Sequence, residues 1–204
     1  MQPIKNIVFD LGGIFMNLDY HLTEKAFVDL GIVSFPQMYT QHHANPMFED
    51  FETGKISTQA FYEAFRKSSN SHLSDEQIKT AWNAMLLDFP AERLRWLTEI
   101  GKKYQVYLFS NTNQIHYEAF IKIVHATTGI NNFNDFFIKA YYSHELGLRK
   151  PYVASFKKIL EEQKLVAAET VFIDDTLKNI IGAKEAGMQT IHLQAPKTVL
   201  DLEL

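Results

Sequence analysis

The sequence predicts an α/β fold built on a doubly wound parallel sheet, with a block of helices inserted after the first strand. Three observations predict it. Short continuous apolar runs (Ile7-Val8-Phe9, Val106-Tyr107-Leu108-Phe109 and Val171-Phe172-Ile173) have the length and residue types of strands buried on both faces. From Pro90 onward such runs alternate with helix-length amphipathic segments, the rhythm of parallel strands joined by right-handed crossovers. Between Asn17 and Leu87 that rhythm is missing and the patterns are helical.

Taken in order, the first run stops at one carboxylate, Asp10, and the Gly12-Gly13 turn follows. Such an ending delivers a charge to the carboxyl edge of the sheet, where open α/β sheets hold ligands. Alone, the stretch reads equally well as an ordinary strand with a capping aspartate, and it lacks the third glycine of a dinucleotide fingerprint. In the cap, Thr23 is expected to cap a helix over 24–30 that ends at Gly31. Residues 45–51 carry Met47, Phe48 and Phe51 at helical spacing. Gly54-Lys55-Ile56-Ser57 makes a turn, and Ser57 or Thr58 caps a helix bearing Phe61, Ala64 and Phe65. Ser74-Asp75-Glu76-Gln77 opens another helix, with Ile78, Trp82 and Met85 as its apolar stripe. The phenylalanines at 48, 51, 61 and 65 are most simply the cap's own core. The expected division is a core of 1–16 and 88–204 and a cap of 17–87.

Residues 90–104 read as a helix with Leu94, Leu97 and Ile100 inward. The second strand ends at Ser110-Asn111-Thr112-Asn113, and a helix over 115–125 follows. A third strand is expected over 136–142, then Leu148-Arg149-Lys150-Pro151 and a helix over 153–163. The fourth strand ends at Asp174-Asp175. A helix over 178–186, closed by Gly187, leads to a last strand over 190–193.

The chain of 204 residues suits one large domain or a core with an insertion, and 46% hydrophobic residues can fill a core. A net charge of −4 gives no reason to expect nucleic acid or an anionic membrane as partner. The absence of cysteine excludes disulfides, thiolate catalysis and thiolate-bound zinc. There is no signal-peptide pattern and no apolar run near the ~20 residues that span a bilayer. A soluble cytoplasmic protein, monomer or homodimer, is expected.

Four strand ends carry chemistry: Asp10, Ser110-Asn111, Lys150 just beyond the third strand, and Asp174-Asp175. In a parallel sheet all point to one edge and can converge in one crevice. Carboxylates from two strands make an oxygen-rich pocket suited to Mg²⁺. A hydroxyl and a lysine offer donors to phosphoryl oxygens, and an aspartate can serve as nucleophile. Bland readings stand beside these: Asp174-Asp175 as a helix cap, Ser110 as a turn residue, Lys150 as a surface lysine. Arg149 reads as a solvated side chain without a role, and His42-His43 as a surface pair, not metal ligands.

The motifs Phe9-Asp10-Leu11-Gly12, Gly54-Lys55-Ile56-Ser57, Leu108-Phe109-Ser110-Asn111-Thr112-Asn113, Gly147-Leu148-Arg149-Lys150-Pro151 and Phe172-Ile173-Asp174-Asp175 with Asn179 resemble the haloacid dehalogenase-like superfamily. They are most similar to its bacterial sugar-1-phosphate (glucose-1-phosphate) phosphatases, over about residues 4–193. The resemblance implies a Rossmann-like core, a small helical cap and a Mg²⁺-dependent phosphatase acting on a small phosphorylated metabolite. It implies that Asp10 attacks phosphorus, and that Asp10, the carbonyl of Gly12, Asp175 and Asp174 (directly or through water) hold Mg²⁺. Ser110 and backbone N–H groups around Leu11 and Asn111 would bind the phosphoryl group, and Lys150 would pair with Asp10 and the phosphate.

Two departures stand out. Most phosphatases of this superfamily carry an acid two residues after the nucleophile, where this chain has Gly12. Either the leaving group departs without full protonation, as an anomeric sugar oxygen can, or a cap residue such as Tyr20, His21 or His43 donates the proton, or the chain is a catalytically silent relative that binds phosphometabolites. Tyr152 replaces the acidic or small residue common after Lys-Pro. The rival enzyme is a metal-independent 2-haloacid dehalogenase, against which the paired Asp174-Asp175 argues by charge.

Overall fold

The computed structural model describes residues 2–40 and 43–204, and the backbone alone at 40, 43 and 44. In chain order the elements are β1 (Asn6–Phe9), α1 (Tyr20–Asp29), α2 (Phe35–Met38), β2 (Tyr39–Thr40), β3 (His43–Ala44), α3 (Pro46–Glu52), α4 (Thr58–Ser69) and α5 (Asp75–Asn83). There follow α6 (Ala91–Ile100), β4 (Gln105–Ser110), α7 (Gln114–Thr128), β5 (Lys139–Tyr142), α8 (Ser143–Leu146), α9 (Val153–Glu162), β6 (Thr170–Asp174), α10 (Leu177–Glu185) and β7 (Gln189–His192).

The main sheet has the order β5-β4-β1-β6-β7, and every pairing in it is parallel. β1 lies at the centre because its four residues are apolar or hydrogen-bonded and all are buried. Ile7 and Phe9 face one apolar cluster with Leu97, Phe120 and Phe133, while Val8 faces the other with Phe156, Ile159 and Ala183. The period of two along the strand therefore builds a core on each side of the sheet. Phe9 pairs with Leu108 and with Ile173, so the residues that follow β1, β4 and β6 emerge at one edge.

Residues 20–83 hold a third cluster, in which Phe27, Phe35, Phe48, Phe51, Phe61, Phe65 and Trp82 are buried together. Phe51 and Phe61 stack with centroids 4.3 Å apart. Each such ring contributes about 1.5–3 kcal/mol by leaving water. The chain enters and leaves this region side by side: the N–H of Asn17 donates to Asp88 and that of Leu87 donates to Asn17.

Several expectations change in detail. The helix expected over 24–30 starts at Tyr20 because Asp19 caps it, accepting from the His21 N–H. Thr23 is buried instead, donating to the Trp82 carbonyl and accepting from the Met85 N–H, and so joins α1 to the end of α5. The third strand covers only Lys139–Tyr142, since Phe133–Phe136 winds into a 3-10 turn started by Asn132. The helix over 90–104 stops at Ile100, and that over 115–125 runs from Gln114 to Thr128. The helical region also contains the short antiparallel pair β2–β3. The caps at Ser57 and Ser74 form, the latter reciprocally with Gln77. Among the described residues no helix is long and apolar enough to cross a membrane.

Candidate active site

The site lies where the sheet's central strands end. Asp10 follows β1, and its N–H donates to Ile173 of β6, which fixes the aspartate beside Asp174. Gly13 then turns the chain at φ +71°, where an L side chain is strained and a Cβ would collide with the Asp175 carboxylate. Lys150 reaches in from the loop after α8. Its Nζ lies 2.6 Å from Asp10 Oδ1 and 2.8 Å from Asp174 Oδ2. The lysine is 1% exposed, so it is not a surface residue.

Its backbone is held as firmly as its side chain. Asn111 Nδ2 donates to the Lys150 carbonyl and Asn111 Oδ1 accepts from the Lys150 N–H, both at 2.9 Å. This reciprocal pair ties the end of β4 to the lysine loop. A second tie joins Thr112 to Ser143, whose hydroxyl accepts from the Thr112 N–H and donates to its carbonyl. Ser110, 4% exposed, lines the same cavity as Asp10.

Electrostatics make the site short of positive charge. Burial alone would lower the Lys150 ammonium, but Asp10 and Asp174 more than offset this and hold it above the usual lysine value. Burial pushes Asp10 up to about 7; Lys150 opposes the shift, while Asp174 and Asp175 add to it. Asp175 is also raised, by burial first and then by Asp174. Three carboxylates with oxygens within 4.8 Å of one another thus gather beside the Lys150 ammonium. That donor set fits a hard divalent cation. Asp10 and Asp175 are the better placed to hold it. Asp174 already accepts from the Thr176 N–H, from Asn179 and from Lys150.

Gly12 borders the cavity, and the space beyond its Cα is filled: a Cβ added there would lie 2.5 Å from Leu18 Cδ1. Of the proposed donors in the cap, Tyr20 lines the cavity. Burial, then Asp175 and Asp10, keep its hydroxyl protonated far above neutral pH. His21 does not reach the site; its side chain is 92% exposed and faces Glu24. His42 and the side chain of His43 lie outside the described residues. Tyr152 is exposed at the start of α9 and is absent from the cavity wall.

The structure therefore gathers Asp10, Leu11, Gly12, Ser110, Asn111, Lys150 and Asp175 around one cavity, with Asp174 beneath them. It corrects the reading of Arg149 as a solvated side chain. The arginine is 12% exposed, and its Nη1 and Nη2 lie 2.7 Å from Glu49 and 3.0 Å from Glu52, both on α3. Glu52 and Tyr39 also line the cavity, and sequence reasoning gave neither a role. Burial raises the Glu52 carboxyl above its ordinary value, against the pull of Arg149. His116, likewise missed, donates Nε2–H to the Trp82 carbonyl at 3.0 Å and accepts at Nδ1 from Asn113. Burial lowers it to about 4, so it is neutral and bridges α7 to α5. Its signal was local: Asn113, three residues earlier, caps α7 through the His116 N–H.

Residues 4–187 match the model of the haloacid dehalogenase-like hydrolase family. The chain is 31% identical over 189 residues to a D-ribitol-5-phosphate phosphatase of Bacteroides thetaiotaomicron, covering 93% of this chain and 91% of that one. It is 26% identical to the sesquiterpene phosphatase astK of Aspergillus oryzae, with 93% and 89% covered. A crystal structure of the wild-type haloacid dehalogenase family enzyme bt-2542 of Bacteroides thetaiotaomicron, in complex with magnesium and inorganic phosphate, superposes with a TM-score of 0.86 at 34% identity, over 95% of this chain and 96% of that one. With the sheet order, the convergent strand ends and these matches together, the chain belongs to the haloacid dehalogenase-like hydrolase family.

Proposed function

We propose that this hydrolase is a Mg²⁺-dependent phosphatase that cleaves a small phosphorylated sugar or polyol through an aspartyl-phosphate intermediate. The observation that carries the reading is the pairing of Asp10 with Lys150 inside a cluster of three carboxylates. A lone buried aspartate would be protonated and inert; one held by an ammonium and beside a cation site is a nucleophile. In this reading Asp10, the Gly12 carbonyl and Asp175 hold Mg²⁺, with Asp174 behind them. The cation, when bound, offsets the charge of the phosphoryl oxygens.

An Asp10 carboxylate oxygen forms a bond to phosphorus as the bond to the leaving oxygen breaks, and that oxygen takes up a proton from water. Ser110, Lys150 and the N–H groups near Leu11 and Asn111 bind the phosphoryl oxygens while charge builds on them. Water then attacks phosphorus, releasing phosphate and restoring Asp10. A haloacid substrate fits less well, because without a cation the three carboxylates would repel an anion at Asp10.

Within this class we infer a sugar 1-phosphate. Position 12 is a glycine with Leu18 packed beside it and offers no acid, and the anomeric oxygen is the sugar oxygen that departs most readily without one. A second reading, an alditol 5-phosphate, is favoured by the ribitol-5-phosphate phosphatase relative. The proposed cap is residues 17–87 on a core of 1–16 and 88–204, supported by the paired crossings at Asn17 and Asp88. We place the enzyme in the cytoplasm, as monomer or homodimer. Initial rates on glucose 1-phosphate and ribitol 5-phosphate, with Mg²⁺ and with EDTA, test the reading. Turnover that survives EDTA, or full activity in Asp10→Asn, would overturn it.

A further inference from the structure

We propose that Glu52 is the specificity-determining residue for the leaving group, accepting a hydroxyl of a polyhydroxylated carbon chain and selecting against phosphate esters that lack one there. The proposal rests on the phosphatase reading above.

Glu52 is a costly residue where it stands. It is the last residue of α3, where the helix dipole disfavours a negative charge, and it is only 5% exposed. Its neighbours only partly satisfy it. Arg149 Nη2 is 3.0 Å from Oε2, yet Oε2 accepts no aligned hydrogen bond. The Tyr39 hydroxyl reaches Oε1 only at 3.5 Å, the limit of a hydrogen bond. A carboxylate offers about four acceptor positions, so Glu52 keeps acceptor capacity inside the cavity that holds Asp10.

Service to Arg149 does not account for the position. Glu49, one turn earlier on the same helix, already pairs with the guanidinium at 2.7 Å from a more exposed side chain. Glu52 is the member of the pair that faces inward. Beside it the wall carries the hydroxyls of Tyr20 and Tyr39; elsewhere Met16, Leu18, Met85 and Leu86 present carbon. A lining that joins carboxylate and phenol groups to apolar side chains suits a carbon chain that bears both hydroxyls and C–H groups. The same carboxylate repels a leaving group that ends in an acid, which adds rejection to attraction. Glucose 1-phosphate and ribitol 5-phosphate share this chemistry.

The test compares kcat/KM on ribitol 5-phosphate and glucose 1-phosphate with kcat/KM on p-nitrophenyl phosphate, whose leaving group has no hydroxyl chain. Glu52→Gln should lower the ratio of the better sugar or polyol phosphate to p-nitrophenyl phosphate by about ten- to a hundredfold, the worth of a hydrogen bond to a buried charge. Glu52→Asp keeps the charge but shortens its reach, and should lower the ratio too; it serves if Glu52→Gln does not fold. An unchanged ratio in the folded variants, whether both rates stay or both fall together, would overturn the proposal. A wild-type enzyme that cleaves p-nitrophenyl phosphate but neither sugar nor polyol phosphate would overturn it together with the sugar or polyol substrate class, leaving only the Mg²⁺-dependent phosphatase chemistry standing. A wild type that cleaves no phosphate ester with Mg²⁺ present would overturn both.

Discussion

Leu18 fills the space into which a side chain at Gly12 would project, with its Cδ1 placed 2.5 Å from where a Cβ would stand. A side chain at position 12 would therefore meet an apolar group before it reached the cavity. Gly12→Asp alone should give less, since the Leu18 side chain must first rotate away. Gly12→Asp with Leu18→Ala removes that obstacle. A positioned acid is worth about 10² to 10⁴ in rate, so the double variant should raise kcat on ribitol 5-phosphate about tenfold or more. The gain should be smaller on glucose 1-phosphate and absent on p-nitrophenyl phosphate, whose leaving groups need less protonation. Steady-state kinetics on the three esters check this.

The two aspartates after β6 should separate by experiment. Asp175 accepts from the Thr176 hydroxyl, whereas Asp174 anchors Lys150, Asn179 and the Thr176 N–H. Asp175→Asn should therefore abolish the rise in melting temperature on adding Mg²⁺ while leaving the metal-free protein close to wild type. Asp174→Asn should destabilise the metal-free protein by about 3–5 kcal/mol, as breaking a buried ion pair does. Thermal unfolding with EDTA and with Mg²⁺ distinguishes the two.

Much of this was legible in the sequence because strand ends carry their chemistry with them. Asp10, Ser110 and Asp174 close apolar runs, and a parallel sheet must bring such ends to one edge. Lys150 was legible only through its motif, since no periodicity shows that a loop lysine is 1% exposed. Arg149 and Glu52 were not legible: their meaning arises from a contact between α3 and the lysine loop some hundred residues apart. Thr23 misled for a related reason. A threonine before a helical run looks like a cap until tertiary packing presents it with the Trp82 carbonyl.

The protein should lose stability in mild acid partly through His116. Its folded pKa is lowered, from 6.5 to about 4, by burial. A histidine with a lowered folded pKa contributes stability above its unfolded pKa and loses that contribution as pH falls. The window is therefore between about 6.5 and 4, and the full effect is on the order of 3 kcal/mol. His116→Gln should be less stable at pH 7, having lost the stack on Trp82, but its stability should fall less steeply between pH 6.5 and 4.5. Urea unfolding across that range reports the difference in slope.

Gly54, in the turn after α3, sits at φ +66° with the backbone carbonyl of His144 against its Cα, so a Cβ would collide with an oxygen that cannot rotate away. The same contact lies between the helix that carries Glu49 and Glu52 and the segment that leads to Arg149 and Lys150. Gly54→Ala should force these apart, weakening the Arg149 pairs and loosening the cavity wall. Gly31 provides the control: its φ is +91°, but a Cβ there would meet nothing within 4 Å. Gly31→Ala should cost only the backbone strain, about 1–2 kcal/mol, or a few degrees in melting temperature. Gly54→Ala should cost more, and should also lower kcat/KM on the sugar or polyol phosphate about tenfold, a loss Gly31→Ala does not share. Equal effects of the two substitutions on kcat/KM would show that the approach of Gly54 to His144 has no part in shaping the site.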